Sequence, residues 1–276
     1  MTTAPSRAVR LHVESAGSGR ALVFAHGFGG SARNFRPQAR ALGRTHRVIL
    51  YDARGHARSD APADANEYVL DRLVDDYEHV ATGDASTERR EDGGVIAGGL
   101  SLGAATALAF ALRRPERVRA LVLASPPGGA DDPPRRSWAL AFAHAIDERG
   151  LEAAGAEFVW GERARFDPRG AALIRQGLME HPPAALAHVL RRTLAELPGP
   201  SALDAELRRF PHPALVIAGA EDASALGPAR ALAERLPNAE LVVIPNAGHV
   251  VNLAAPDAFN EACRRFLERV DPPSEP

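Results

Sequence analysis

The chain has 276 residues, a length that suits one large α/β domain or one domain that carries an insertion. Its formal net charge of −2 indicates neither a basic footprint for nucleic acid nor a charged patch for a membrane surface. One cysteine and no lysine exclude an internal disulfide, a cysteine zinc cluster, a Schiff-base lysine and a phosphate-loop lysine.

The N-terminus, MTTAPSRAVR, lacks the apolar stretch and the cleavage pattern of a secretory signal. No apolar run in the chain reaches the length of a transmembrane helix. With the single cysteine, these features favour a cytoplasmic protein that acts on a small molecule and binds neither nucleic acid nor a membrane. We expect a monomer or a homodimer.

In the first half of the chain, short apolar runs alternate with segments of helical spacing. The predicted strands are residues 8–14, 21–25, 46–51, 95–97 and 118–124. Helices are predicted over residues 33–42 and 68–80 and directly after residue 101, and the polar residues 82–94 are expected to form a surface loop. This alternation predicts a mainly parallel sheet with helices on both faces.

The alternation stops after residue 126. From residue 138 to about 210 the sequence shows helical patterns separated by glycine and proline, with no strand signal. Strands are predicted again at 214–219 and 239–244, with helices at 228–236 and 256–270 and a disordered tail from 271. We therefore predict a core of residues 1–126 and 211–276, interrupted by a helical insertion of residues 127–210.

A serine occupies the turn between a predicted strand and a predicted helix, in the sequence Gly99-Leu100-Ser101-Leu102-Gly103. Such a turn holds the serine in a strained conformation, and the two glycines remove side chains that would collide with the neighbouring strand and helix. The helix directs its free N–H groups towards any oxyanion formed at the hydroxyl. Ser101 is therefore a candidate nucleophile, although an ordinary turn with packing glycines has the same pattern.

A nucleophilic serine needs a base and an orienting carboxylate. Glu221 and Asp222 follow one predicted strand, and His249 follows the next. Because the carboxyl ends of parallel strands meet at one edge of a sheet, these side chains are expected near Ser101. We favour Asp222 over Glu221, since a shorter side chain holds a fixed geometry with less rotamer freedom.

Five pieces of the chain resemble the motifs of the α/β-hydrolase-fold superfamily and occur in the same order. They are His26-Gly27-Phe28-Gly29-Gly30, Asp52-Ala53-Arg54-Gly55-His56-Ala57-Arg58-Ser59, Gly99-Leu100-Ser101-Leu102-Gly103, Gly219-Ala220-Glu221-Asp222 and Asn246-Ala247-Gly248-His249. The resemblance covers nearly the whole chain apart from the insertion, which lies where that superfamily carries its cap. Ala57 and Ala104 stand where the superfamily often has glycine.

The resemblance implies an α/β-hydrolase fold with Ser101 as nucleophile, Asp222 as acid and His249 as base. It also implies that the oxyanion is bound by the backbone N–H groups of Phe28 and Leu102. A serine nucleophile argues against the dehalogenase and epoxide-hydrolase branches, which use aspartate there. The chain is most similar to the cap-bearing esterase, enol-lactonase and cofactor-free haloperoxidase-like group.

Apolar residues of the insertion are candidates for the substrate pocket, and we single out Trp138, Phe142 and Trp160. The alternative is that they only pack the cap onto the core. Four polar residues of the core are expected to have structural and not catalytic roles: His26, Asp52, Arg54 and His56. Three histidines of the insertion, His144, His181 and His188, are too far apart in the sequence to indicate a metal site and are expected at the surface or in the pocket lining.

Together these features predict a serine hydrolase that cleaves a small to medium, apolar ester, lactone or thioester through an acyl-enzyme on Ser101. The same triad could instead serve an acyltransferase or an enzyme that breaks a carbon–carbon bond. A ligand receptor without catalytic activity is a further alternative on this fold. No cofactor and no metal is implied.

Overall fold

The computed structural model describes residues 9–83, 94–161 and 174–272. Its strands are β1 (Val13–Ala16), β2 (Ala21–Ala25), β3 (Arg47–Tyr51), β4 (Val95–Leu100), β5 (Val118–Ala124), β6 (Ala214–Gly219) and β7 (Ala239–Ile244). They form one sheet in the order β1-β3-β2-β4-β5-β6-β7, and every neighbouring pair is parallel except β1 with β3. The predicted fold class, a mostly parallel α/β sheet, is confirmed.

Ten helices accompany the sheet in the described part of the chain. They are α1 (Arg36–Leu42), α2 (Leu70–Thr82), α3 (Leu102–Arg113), α4 (Pro133–Gly155), α5 (residues 174–178), α6 (Pro183–Arg192), α7 (Asp204–Arg209), α8 (Ala223–Arg235), α9 (Val251–Ala254) and α10 (Pro256–Val270). Short 3₁₀ turns occur at Ala32–Phe35, Ala65–Tyr68, Pro115–Arg117 and Leu194–Glu196, and a π-helical turn at Ala156–Trp160. No described helix is long and apolar enough to span a bilayer.

The sheet separates two apolar layers, as the predicted arrangement of helices on both faces requires. On one face, α2 and α3 pack against the strands through a cluster that includes Tyr77 and Phe110. On the other face, α1 and α10 pack through a cluster that includes Leu42 and Phe259. Because both faces are covered, central strands such as β2 and β6 are buried at every position.

The first strand begins later than predicted. Residues 8–14 alternate in the sequence, but β1 starts at Val13. The preceding residues bond to a turn instead of a strand: the N–H of Arg10 donates to Asp60 Oδ2 at 3.0 Å, and the N–H of His12 donates to Ser59 Oγ at 2.9 Å. Side-chain acceptors on that turn thus replace the backbone partners that a longer strand would need.

Only helices and turns connect β5 to β6 within residues 125–161 and 174–213. Their apolar side chains form a third cluster that includes Phe142 and Leu186 and also takes in Leu102, the first residue of α3. Residues 125–161 and 174–213, which we call the helical segment, therefore lie over the start of α3. The insertion boundaries at residues 127 and 210 stay a prediction, and the predictions for residues 84–93 and 273–276 lie outside the described residues.

Candidate active site

Ser101 occupies a strained turn between β4 and α3. Its backbone has φ 53° and ψ −114°, a conformation that non-glycine residues rarely adopt. A Cβ atom at Gly99 would lie 2.3 Å from the carbonyl carbon of Gly103, and one at Gly103 would lie 2.1 Å from the Ala25 carbonyl oxygen. The collisions with helix and strand expected from the sequence are therefore confirmed.

Two chain segments that carry the proposed oxyanion donors flank this serine. Leu102 is the first residue of α3, so its N–H has no partner within the helix. Phe28 lies in a turn after β2 that is closed by a 3.0 Å hydrogen bond from the Gly30 N–H to the Gly27 carbonyl. Ser101 Cβ is 3.5 Å from the position that a Cβ on Gly27 would take. The turn thus lies directly beside the serine, and the donor role of Phe28 and Leu102 stays a prediction.

Asp222 and His249 are in direct contact. Asp222 follows β6 and His249 follows β7, and His249 Nδ1 lies 2.8 Å from Asp222 Oδ2. The two loops approach because residue 219 is glycine: a Cβ there would lie 2.2 Å from the Ala247 carbonyl oxygen. That carbonyl accepts a 2.9 Å hydrogen bond from the Glu221 N–H. Of the two adjacent carboxylates, Asp222 meets the histidine, while Glu221 is exposed.

The environment of Asp222 favours its ionised form. The residue is only 5% exposed, and burial alone would raise its pKa. Hydrogen bonds from His249, from Ser224 and from the Ala225 N–H outweigh burial and lower the pKa below its usual value. An ionised Asp222 fixes the proton of a neutral His249 on Nδ1 and leaves Nε2 free to accept another.

The helix after Asp222 starts earlier than predicted, and this difference exposes a residue that sequence reasoning missed. The prediction began the helix at Pro228, but α8 begins at Ala223 with Asp222 as its N-cap. Asp222 Oδ1 accepts from the Ser224 hydroxyl at 2.6 Å and from the backbone N–H groups of Ser224 and Ala225 at 3.2 Å. Asp222 itself was the available signal, because Asp is among the preferred N-cap residues.

A buried amide network supports the loop that carries His249, whose side chain is 35% exposed. Asn252, in α9, donates from Nδ2 to the Asn34 carbonyl at 2.8 Å and to Gln38 Oε1 at 3.1 Å. Gln38 Nε2 in turn donates to the Asn252 carbonyl at 3.0 Å. These bonds tie the loop to the chain around the start of α1, across more than 200 positions of sequence, which no local pattern could indicate.

The three predicted pocket residues lie in different surroundings. Phe142 is fully buried, with its ring centroid 6.0 Å from that of Phe28 and 5.1 Å from the stacked ring of Phe158. Trp138 is 39% exposed, and its ring lies 5.6 Å from that of Phe142. The Trp160 ring packs against Gly155, five residues earlier at the end of α4. Phe142 thus reaches the turn of residues 27–30 directly, which we call the oxyanion turn after its predicted role, and the pocket role of all three residues stays a prediction.

The histidine next to the oxyanion turn has a structural environment, in agreement with the sequence interpretation. His26 Nε2 accepts from the Ala53 N–H at 2.9 Å, and its Nδ1 donates to the Gly27 carbonyl at 2.7 Å. Burial lowers the pKa of His26 to about 4. The ring is therefore neutral and holds two loops together with both nitrogens.

Comparisons with known proteins identify the proteins that this chain resembles. A family model described as "Alpha/beta hydrolase family" matches residues 22–262. The chain is 30% identical to "Putative carbamate hydrolase RutD" of Caulobacter segnis, over 91% of this chain and 92% of that one. It is 31% identical to the 2-hydroxymuconate semialdehyde hydrolase of Pseudomonas sp. strain CF600, over 95% and 92%. A thermophilic esterase from Thermogutta terrifontis superposes with a TM-score of 0.83 at 27% identity, over 98% and 97%.

Proposed function

The chain belongs to the alpha/beta hydrolase family, and we propose that it is a serine hydrolase that cleaves carbonyl substrates through an acyl-enzyme on Ser101. The observation that carries the proposal is the 2.8 Å contact between Asp222 and His249. It lies at the same carboxyl edge of the sheet as the strained Ser101, which follows β4. Nucleophile, base and orienting acid on neighbouring loops are the requirements of acyl transfer to serine.

In the acylation step, Ser101 Oγ attacks the carbonyl carbon while His249 Nε2 takes the hydroxyl proton. Asp222 stabilises the imidazolium that forms. The N–H groups of Phe28 and Leu102 donate to the oxygen that becomes negatively charged. When the tetrahedral intermediate collapses, His249 returns the proton to the leaving alcohol, and the acyl group stays on Ser101.

In the deacylation step, water takes the place of the alcohol. His249 removes a proton from the water, whose oxygen attacks the acyl carbon. Collapse of the second intermediate breaks the bond to Ser101 Oγ, which recovers its proton from His249. The products are the free acid and the unchanged enzyme, so no redox partner is needed.

For the substrate we propose a small to medium ester, lactone or thioester with an apolar acyl or alcohol portion. Phe28, Phe142 and Phe158 form a group of aromatic rings that extends from the oxyanion turn into the helical segment. The esterase neighbour supports an ester, and the relative named for carbamate hydrolysis adds a carbamate to the candidates. We further propose a cytoplasmic enzyme that acts as a monomer or a homodimer without metal or cofactor.

A second candidate reaction, hydrolysis of a carbon–carbon bond, is favoured by the relative named 2-hydroxymuconate semialdehyde hydrolase. It would use the same three side chains on the aldehyde carbonyl of a semialdehyde instead of an ester carbonyl. Turnover of that semialdehyde faster than every ester would select this reaction. Transfer of the acyl group to an added alcohol, in place of water, would select an acyltransferase.

The test is a panel of p-nitrophenyl esters from acetate to decanoate, with a p-nitrophenyl carbamate and 2-hydroxymuconate semialdehyde in parallel. We expect Ser101-dependent release of nitrophenol and a transient increase in protein mass equal to the acyl group. Ser101→Ala should abolish both. A Ser101→Ala protein that turns over at the wild-type rate, or a folded wild type that turns over no member of the panel, would contradict the proposal.

A further inference from the structure

A short stretch of the helical segment, residues 178–181, lies on two loops of the core at once. One loop is the oxyanion turn, residues 27–30, and the other is the loop of residues 52–60, which sequence analysis assigned a structural role. Leu178 contacts the first loop and His181 contacts the second, while Glu180 pairs with Arg33, just after the first loop. None of the catalytic steps above uses any of them.

The apolar contact is between Leu178 and the oxyanion turn. Leu178 is buried, and a Cβ atom at Gly29 would lie 2.2 Å from Leu178 Cδ1. Gly29 also has φ +67°, so glycine is required there both for space and for conformation. Leu178 therefore packs directly on the residue that follows Phe28.

The second contact is made by His181. Its Nδ1 accepts a 2.7 Å hydrogen bond from the backbone N–H of Ala57. Ala57 has φ 43°, so the bond holds a strained residue of the core loop. The His181 ring lies 5.1 Å from the ring of His56, which lies 6.1 Å from the ring of Phe28. A continuous line of ring contacts thus joins His181 to the proposed oxyanion donor.

An acceptor nitrogen requires a neutral imidazole. Burial lowers the pKa of His181, while the Gly29 carbonyl opposes that shift without reversing it. Because Nδ1 accepts from Ala57, the neutral ring carries its proton on Nε2. That nitrogen is buried without a hydrogen bond of good geometry.

The third contact is an ion pair between Glu180 and Arg33, with two hydrogen bonds of 3.1 and 2.6 Å. Both side chains are partly exposed, so solvent screens the pair and it contributes little to stability. Leu178 and His181, both buried, hold the stretch in place.

We propose that His181 is a positioning residue, which holds residues 178–181 on the oxyanion turn and thereby keeps the Phe28 N–H beside Ser101. It acts only through Ala57, His56 and Leu178 and touches no reacting atom. The inference rests on the proposed serine-hydrolase function. It adds that the oxyanion hole is completed by contact with the helical segment.

The test compares three variants. His181→Leu removes the acceptor at similar volume, and His181→Asn keeps an acceptor oxygen near the position of Nδ1. His144→Leu, at an exposed histidine of α4, is the matched control. For each protein, kcat and KM are measured with p-nitrophenyl acetate. Inhibition by phenylboronic acid is measured as well, because its tetrahedral adduct with Ser101 uses the oxyanion donors.

We expect His181→Leu to lower kcat by about 10- to 100-fold with KM changed less than about threefold, and to weaken phenylboronic acid by a similar factor. His181→Asn should recover both to within about threefold of wild type, and His144→Leu should change neither. A merely structural histidine would lower the melting temperature without this selective loss. Unchanged kcat and inhibition in folded His181→Leu, or His181→Asn as impaired as His181→Leu, would overturn the proposal.

Should His181→Leu fail to fold, Leu178→Ala applies the same test from the other contact, with the same expected selective loss of kcat. Amide hydrogen exchange of residues 27–30 gives a readout that needs no activity, and it should be faster in the variants. If wild type has no Ser101-dependent esterase activity, the proposed function fails while exchange still tests the contact. If wild type is active and the variants match it in kcat, inhibition and exchange, only the role of His181 fails.

Discussion

The sheet edge and the helical segment are built from different kinds of contact. At the edge, Ser101 follows β4 directly, Asp222 follows β6 and His249 follows β7, so each of them lies within a few residues of the strand that positions it. The helical segment reaches the core through contacts between distant residues, such as His181 with Ala57, 124 positions apart. The comparison teaches that the proposed catalytic residues are positioned by the strands they follow, whereas the contacts of the helical segment over them depend on the tertiary fold.

The largest expected effect concerns the carboxylate at the edge. Asp222→Asn should lower turnover by about 10³- to 10⁴-fold, because the amide supports the wrong imidazole tautomer. Glu221→Gln is the matched control, since Glu221 is adjacent and exposed, and it should cost less than about tenfold, or about 1.4 kcal/mol of barrier. Steady-state kinetics with one activated ester measure both. Reversed results would make Glu221 the acid.

The second effect concerns Gly103, in the strained turn at Ser101 between β4 and α3 (the elbow). Gly103→Ala should destabilise the protein by about 3 kcal/mol, because the new methyl group would meet the Ala25 carbonyl oxygen at 2.1 Å. Gly227→Ala, in α8, is the control, since nothing lies within 4 Å of a Cβ there, and its stability should change by less than about 1 kcal/mol. Denaturant unfolding measures the difference. Equal stability of the two variants would show that the close packing at the elbow is not required.

The third effect is a pH dependence of stability from His26. Burial lowers the pKa of His26 to about 4 in the folded protein, whereas the unfolded chain binds that proton below about pH 6.5. The free energy of unfolding should therefore fall as the pH drops from about 6.5 to about 4, by up to about 3 kcal/mol from this group. His26→Gln keeps an acceptor for Ala53 but does not titrate. Its stability should depend less on pH across this window, and an unchanged pH profile would contradict the assignment.

The smallest effect concerns the outer part of the helical segment. Trp138→Ala should change the preference between long and short acyl esters by about three- to tenfold, or about 1 kcal/mol, more than it changes acetate hydrolysis. Val243→Ala, at another exposed apolar residue, on β7, should leave the preference unchanged. The same ester panel measures both variants. Uniform loss across the panel would mean that Trp138 only stabilises the segment.

The sequence predicted the residues at the carboxyl edge of the sheet better than the contacts of the helical segment, and the reason is physical. Ser101, Asp222 and His249 each follow an apolar strand, so local patterns suffice to place them. Local signals also misled: a proline at position 228 favoured a helix start there, whereas the side chain of Asp222 caps the helix five residues earlier.

The contacts that the sequence did not predict are tertiary contacts. Ser224 on Asp222, Asn252 on Gln38 and His181 on Ala57 are hydrogen bonds whose partners only the folded chain brings together or orients. A lone histidine in a helical region has no sequence pattern that distinguishes a buried contact from an exposed side chain. His181 and His144 look alike in the sequence, yet one is buried against a core loop and the other is exposed.

Covalent labelling tests the central claim most directly. A fluorophosphonate probe, which reacts with activated serine hydroxyls, should add one equivalent of mass to the folded protein, and peptide mapping should place it on Ser101. Ser101→Ala should not be labelled, while Ser137→Ala, at an exposed serine of α4, should be labelled like wild type. Labelling at another serine, or equal labelling of Ser101→Ala, would contradict the account.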